Sequence, residues 1–499
     1  MDILDNLLTG FSVAFQLDNL LWAIFGVVVG NLVGVLPGMG VMASLSILLP
    51  LTYTMTPTAA LIMLAGIFYG SQYGGGITAV MLNLPGTAAH AVTCLDGHPM
   101  ARKGRAGKAL FMLLLGSFFG ATCGILLMIF LSPVLSNIAF KFGPAEYFSM
   151  MLLGLIAGST LAKGSALKSL AMVLLGVVLG LVGIDVNTGT MRFTLGFIEL
   201  ADGLSIVILA MGFFGLADFL RNINNDQLAS PLTHFKVDAS SIRAEKGEIK
   251  KVRGALLRGT SIGSILGVLP GTGSVIASFI AYATEKRVSK KPEEFGEGAI
   301  EGLAAPEAAT SSAAQTSFIP TLTLGIPGDP VMAIMLGALI IHGIQPGPRL
   351  ITDHADIFWG LIASFWFGNI LLIAINYPLI NFWVKIISLP FKYLYPTALF
   401  FICVGVYSTN YSFFDVSLVI VIGFIGYMLL FLEFEAAPLL LGFILGPMIE
   451  ENFRRSLIIS DGDLSFFIQK PISLGFLILS VLILIYTIYS GVFAHRKRV

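Results

Sequence analysis

Two stretches interrupt long apolar runs in the same way: "GVLPGMG" at Gly34–Gly40 and "GVLPGTG" at Gly267–Gly273. Proline removes a backbone donor and clashes with the preceding turn, and glycine loosens the backbone, so each stretch breaks a helix. In hydrocarbon every backbone amide and carbonyl needs a partner, so such a break is tolerated only inside protein or beside a water-filled cavity. The two stretches lie 233 positions apart (267 less 34). A second pair follows in the same order, "LNLPG" at Leu82–Gly86 and "LGIPG" at Leu324–Gly328, 242 apart (324 less 82). Two ordered matches at nearly one offset indicate a duplicated unit.

The surrounding runs belong in a membrane. Only 12% of the 499 residues are charged and 56% are hydrophobic, whereas soluble domains carry about 25% charged residues. Many apolar stretches reach the roughly 18 residues that a spanning helix needs. Short alternating segments, the mark of a membrane β-barrel, do not dominate. The fold class is therefore an all-α polytopic membrane protein with about 10–12 membrane segments.

Other classes find little support. Cys94, Cys123 and Cys403 are odd in number and lie in apolar surroundings, which suits neither a disulfide framework nor a cysteine metal site. The glycine motifs lack the GK[ST] of a Walker A loop. No nucleophile–base pair or metal-ligand set is visible, so an enzyme is not expected, and no cofactor or nucleic-acid partner is called for. The start, "MDILDNLLTGF", lacks a basic region and is not expected to be a cleaved signal peptide.

Lysine and arginine give the topology. None occurs before Arg102; clusters then follow in "ARKGRAGK", across 221–258, in "EKRVSKK" and in the "HRKRV" tail. The positive-inside rule places all of these in the cytoplasm, the C-terminus included. Apolar crossings thread between them at 109–136, 146–162, 166–184, 199–220, 357–380, 395–411, 415–432, 437–450 and 471–494. That threading leaves Lys141, Arg192, Arg349, Arg454, Arg455 and Lys470 outside. After the first break the next turn, "TYTMTPT", is uncharged and reads as outside. After the second, "TEKRVSKK" is basic and reads as inside. One feature in two opposite orientations indicates an inverted repeat, the build of many secondary transporters. The expected parts are a first repeat over 1–220, a cytoplasmic connector over 221–253, a second repeat over 254–450, and a loop with a final membrane helix over 451–499.

Broken helices point their ends into the membrane. A helix N-terminus carries free amides and about half a positive charge, so it can hold an anion with no buried base. Free carbonyls and hydroxyls at the same breaks can hold Na⁺. The candidate substrate and ion site is lined by Gly38, Met39, Gly40, Asn83, Gly86 and Thr87 in the first half. In the second half it comprises Gly271, Thr272, Gly273, Ser274, Gly325, Gly328 and Asp329. Asp329 sits directly at a break, either as an ion-coupling group with the break carbonyls or as a helix N-cap. Glu307, Thr310, Ser311 and Gln315 form a polar run suited to a cavity wall, or else to close helix packing. "YGSQYGGG" reads as unwound or tightly packed, with Gln72 and Tyr73 able to reach a cavity. His90 and His342 are lone histidines near membrane segments, and such groups are more often satisfied structural residues than proton relays.

These residues also carry a family resemblance. "YGGGITAVMLNLPGTAA", "LDGHPMARKGRAGKAL", "EGLAAPEAA", "TLTLGIPGDPVMAIMLGALIIHGIQPGP" and "LGPMIEENFRRSL", with "GVLPGMG", resemble the large membrane subunit of the tripartite tricarboxylate transporters over nearly the whole chain. The resemblance implies a bacterial inner-membrane permease working with a small four-helix membrane subunit and a periplasmic solute-binding protein. It implies uptake of citrate or another small carboxylate, driven by an ion gradient, commonly Na⁺. The chain departs from the family pattern at Thr310 and Ser311, where asparagines are common, and at His90, where a small residue is usual. A stand-alone organic-anion carrier, or a facilitator or channel, is the competing expectation.

Overall fold

The computed structural model describes residues 3–36, 40–160, 166–185, 188–222, 246–269, 273–386, 399–400, 402–407 and 410–496. The first half runs through α1 (Ile3–Ala14), α2 (Leu17–Val35), α3 (Val41–Leu48), α4 (Pro57–Leu82), α5 (Thr93–Met100), α6 (Ala106–Ala139), α7 (Pro144–Thr160) and α8 (Ala166–Gly180). It closes with α9 (Ile206–Ala210) and α10 (Ala217–Asn222), joined by a π-helical stretch, Met211–Leu216. The second half begins with α11 (Lys246–Val268), α12 (Gly273–Val288), α13 (Ile300–Thr316), α14 (Phe318–Leu324), α15 (Pro330–Ile341) and α16 (Arg349–Asp353). Then come α17 (Ala355–Ile386), α18 (Phe413–Phe431), α19 (Ala437–Ile459), α20 (Phe466–Gln469) and α21 (Pro471–Arg496).

The chain is a helical, multi-pass membrane protein, as its hydropathy indicates. By length and composition four described segments can cross a bilayer: Leu17–Val35, Thr93–Ala139, Ala355–Trp383 and Phe413–Phe431. Shorter apolar helices accompany them. Two expected crossings are shorter than the sequence suggests. The one expected over 166–184 stops at Gly180 and leads into an antiparallel strand pair, Gly183–Ile184 with Met191–Arg192. The one expected from 199 begins at Ile206, because Ser205 caps it by accepting a 3.3 Å hydrogen bond from the Val207 amide. Helix α11 passes through the expected boundary at 253/254, and α19 through that at 450/451. Most of the connector, 223–245, lies outside the described residues, as do 395–398, 401, 408 and 409 of the expected crossing at 395–411.

The core is built on α4 and on α13 with α14. Every residue of α4 from Thr58 to Met81 is buried, and so is every residue of α13. A helix enclosed on all sides belongs at the centre of a bundle. Around α4 and α13 the sequence supplies glycine, because lipid tails offer no hydrophobic drive for helix pairing and small residues let backbones touch. A Cβ on Gly26, Gly30 or Gly34 of α2 would run into the carbonyl oxygens of Met63, Ile67 and Ser71 of α4. On α11, Gly259, Gly263 and Gly267 meet the carbonyls of Ala305, Ala309 and Ala313 of α13 in the same way. The glycines are offset by 233 (259 less 26) and their partners by 242 (305 less 63), the offsets of the sequence motifs. The duplication therefore extends into the packing.

The two units are interlocked. The long helix of each, α6 and α17, lies against the buried helix of the other. Gly116, Gly120 and Gly124 of α6 bring it onto α13, and Gly368 of α17 sits against the Tyr69 ring of α4. Buried amides add directional ties: Asn31 Nδ2 donates to Asn376 Oδ1 at 2.9 Å, and Asn369 Nδ2 to Thr122 Oγ1 at 3.0 Å. Outside the bundle, Lys291 Nζ holds Glu294 Oε1 at 2.6 Å after α12, a bond that raises the lysine pKa and lowers the carboxyl one.

Candidate substrate and ion site

Both buried helices end in one residue of left-handed backbone. Asn83 closes α4 at φ 59°, ψ 25°, and Gly325 closes α14 at φ 71°, ψ 20°. Such a residue turns the chain sharply away from a helix; glycine and asparagine adopt it at least cost. The Pro-Gly pairs then fold back on the helices they have left. A Cβ on Gly86 would overlap the Gly34 carbonyl and Gly75, and one on Gly328 would press on Ser317. Residues 75 and 317 are again 242 apart (317 less 75).

The earlier breaks sit beside these turns. Gly40 precedes α3, and its carbonyl accepts from the Ser44 amide at 3.1 Å and the Ser44 hydroxyl at 3.2 Å. Gly273, at φ 59°, starts α12 against the Asp329 side chain, and Ser274 beside it is buried. Gly38, Met39, Gly271 and Thr272 lie outside the described residues. The two break regions cross-pack: α3 touches α15, and α12 touches the turn Ala88–Ala91, where Ser278 Oγ donates to the Ala89 carbonyl at 2.9 Å.

Asp329 is the N-cap of α15. It is 5% exposed, and its Oδ1 accepts from the Met332 amide at 3.0 Å. The positive end of α15 is therefore already matched by the chain's own carboxylate. In the first half the equivalent position is Thr87, which is neutral.

From the first break a largely buried polar chain runs to the middle of α13. Thr87 Oγ1 donates to Gln72 Oε1 at 3.2 Å and lies 2.7 Å from His90 Nδ1. His90 Nε2 lies 3.6 Å from Glu307 Oε2 and has no hydrogen-bond partner among the described residues. Glu307 in turn accepts from Thr93 Oγ1 at 2.6 Å and Ser117 Oγ at 3.3 Å. Sequence reasoning favoured a structural role for His90 over a proton relay, since its partner lies 217 positions later (307 less 90). The "YGSQYGGG" run is helical throughout, so of its two readings tight packing is the one found.

Gln72, Tyr73, Ser311 and Gln315 line a cavity of about 20 Å³ together with Tyr69 and Asn369. That is room for about one water. Thr310 is buried but does not line it. A far larger cleft of about 990 Å³ lies elsewhere, rimmed by residues such as Tyr53, Leu324, Arg349, Asp415 and Arg455. Leu324 brings it to the edge of the second break, yet none of the expected site residues lines it. Its acids, Glu199, Asp202, Asp415 and Glu451, outnumber its two arginines, which does not favour an anion.

Two buried helices, each ended by a left-handed turn and wrapped by apolar helices, define a multi-pass helical membrane protein. The chain belongs to the tripartite tricarboxylate transporter TctA family, whose model matches residues 20–441. It is thus a transporter subunit. It is 47% identical over all 499 residues to an uncharacterized 52.8 kDa protein of the TAR-I ttuC' 3' region of Agrobacterium vitis, covering 99% of that protein. An uncharacterized protein of the TAR-II ttuC' 3' region of the same organism is 52% identical over 237 residues, 48% of this chain and 98% of that protein. No solved structure matches.

Proposed function

We propose that the chain is the permease subunit of a binding-protein-dependent secondary transporter that imports citrate or a related carboxylate. It works with a small four-helix membrane subunit and a periplasmic solute-binding protein in a bacterial inner membrane. A Na⁺ or H⁺ gradient drives uptake. The site lies at the two pairs of broken, re-entrant helices near the midplane, in two repeats of inverted topology. The observation that carries this reading is the repetition of one buried helix and one left-handed break, Asn83 and Gly325, at a single offset. Inverted pairs of discontinuous helices hold substrate and coupling ions in several carriers. Asp329 supports a coupled cation, since a carboxylate at a break attracts Na⁺ and needs its charge offset when a second carboxylate arrives.

The test is uptake of labelled citrate and other di- and tricarboxylates into proteoliposomes holding the chain and its small partner. Accumulation that requires both an imposed ion gradient and the binding protein supports the reading. Downhill flux that needs neither replaces it with a facilitator.

A further inference from the structure

His90 and Glu307 come from opposite halves and meet where neither is exposed, at 0% and 1%. Thr87 has one hydroxyl proton, and it points to Gln72 Oε1. With that proton on Gln72, Nδ1 of His90 is the donor in its 2.7 Å bond to Thr87, a direction set by the imidazole tautomer. In a neutral imidazole this leaves Nε2 a bare acceptor, facing the acceptor Oε2 of Glu307 across 3.6 Å. Two acceptors thus confront each other in a buried gap. One proton satisfies both, and it also cancels the net charge of a buried carboxylate, which is otherwise costly.

No described lysine or arginine performs that service. Lys108 of α6 pairs with Glu248, Arg258 of α11 with Glu285 of α12, and Lys251 with Glu294 and Glu301. On α5, Asp96 is taken up by backbone amides, and His98 Nδ1 sits 3.1 Å from the Val80 carbonyl. Among the described residues Tyr73 of α4 also lies within the field of the Glu307 carboxylate. Ser117 and Gln72 belong both to this network and to the wall of the one-water cavity, so water has a place beside the gap.

We propose that His90 and Glu307 form a single-proton site that joins the two halves and couples proton movement to transport. The coupling rests on the secondary-transport reading; the proton site itself does not. With the proton in place the halves are bridged and neutral. Without it Glu307 carries a charge met only by the Thr93 and Ser117 hydroxyls and draws water into the adjoining cavity, which favours separation of the halves there.

Wild-type and Glu307→Gln proteins, each with the small partner and the binding protein, are compared in proteoliposomes with labelled citrate under a gradient of one pH unit. One coupled proton sustains about tenfold accumulation per pH unit. The expected result is accumulation in the wild type, a ratio of about one in Glu307→Gln, and retained exchange of internal for external citrate in that variant. Glu307→Asp, which still titrates, keeps part of the accumulation. Undiminished pH-driven accumulation in Glu307→Gln overturns the proposal. So does a wild type that answers to Na⁺ alone and loses that answer in Glu307→Gln, because the gap then holds a metal ion. If no carboxylate is moved at all, the transport reading fails, and unfolding temperature against pH still judges the site. Glu307→Gln and His90→Gln should each remove the same pH-dependent component, with the double variant removing no more. Superimposable curves would refute it.

Discussion

Asn83 and Gly325 hold the same left-handed backbone, φ 59° and φ 71°, at the ends of two equivalent buried helices. This conformation costs an ordinary L-residue about 1–2 kcal/mol, more for a β-branched one, and glycine almost nothing. Gly325→Val should therefore lower stability by about 2 kcal/mol, whereas Asn83→Gly should stay within about 0.5 kcal/mol of the wild type. Thermal unfolding of the detergent-purified protein reads both. A tolerated Gly325→Val would mean that the turn is not fixed in this form.

The glycine ladders make a second, symmetric expectation. At Gly30 and Gly263 an added side chain meets backbone carbonyls of the neighbouring helix, which cannot swing aside as a side chain can. Gly30→Leu and Gly263→Leu should each cost about 3 kcal/mol. Gly475, with open space around it, is the control and should accept leucine. If only one of the two ladder variants unfolds early, the halves do not share the packing described above.

Asp96 is fully buried, and its Oδ1 accepts from the amides of Gly296, Gly298 and Ala299 at 2.9, 2.8 and 2.8 Å. It fastens α5 of the first half to the entry of α13 in the second. Hydrogen bonds to a charged acceptor are worth roughly twice neutral ones, so Asp96→Asn should cost roughly 3 kcal/mol. Hydrogen exchange should speed up at those three amides first. Unchanged protection there would make the carboxylate dispensable.

The duplication was legible because its signals, Gly and Pro at fixed offsets, are local and chemically unambiguous. Gly26, Gly30 and Gly34 even preserve the helical spacing that identifies a close contact. What stayed hidden were the ties between halves: Asp96 with residues 296–299, and His90 with Glu307. Each joins groups about two hundred positions apart, and a single sequence holds no periodicity that pairs them. The strand pair at Gly183–Arg192 was missed because the apolar run continues past Gly180, although Gly189 at φ 69° marks its turn. Asp329 was left open between two roles. The cap geometry shows one of them without excluding service to an ion.

That ambiguity can be separated by one substitution. Asparagine caps a helix about as well as aspartate but carries no charge. Asp329→Asn should therefore keep the unfolding temperature close to that of the wild type while weakening the dependence of carboxylate uptake on the coupling ion. Ion dependence that stays unchanged would leave Asp329 as a cap alone. Gly328→Leu, which must intrude on Ser317, should instead abolish carboxylate binding in a protein that still folds.

Opposite orientation of the two repeats remains the boldest expectation, and it can be read without any transport assay. Thr54 is exposed in the uncharged turn after α3, and Ser289 is partly exposed in the basic turn after α12. The two turns follow equivalent breaks. If the repeats are inverted, these turns lie on opposite sides of the membrane, with the basic one in the cytoplasm. Single cysteines at Thr54 and Ser289, in a background without Cys94, Cys123 and Cys403, should react with an impermeant thiol reagent from opposite faces of sealed vesicles. Reaction of both from one face would make the repeats parallel, and the two breaks could then no longer approach the midplane from opposite sides.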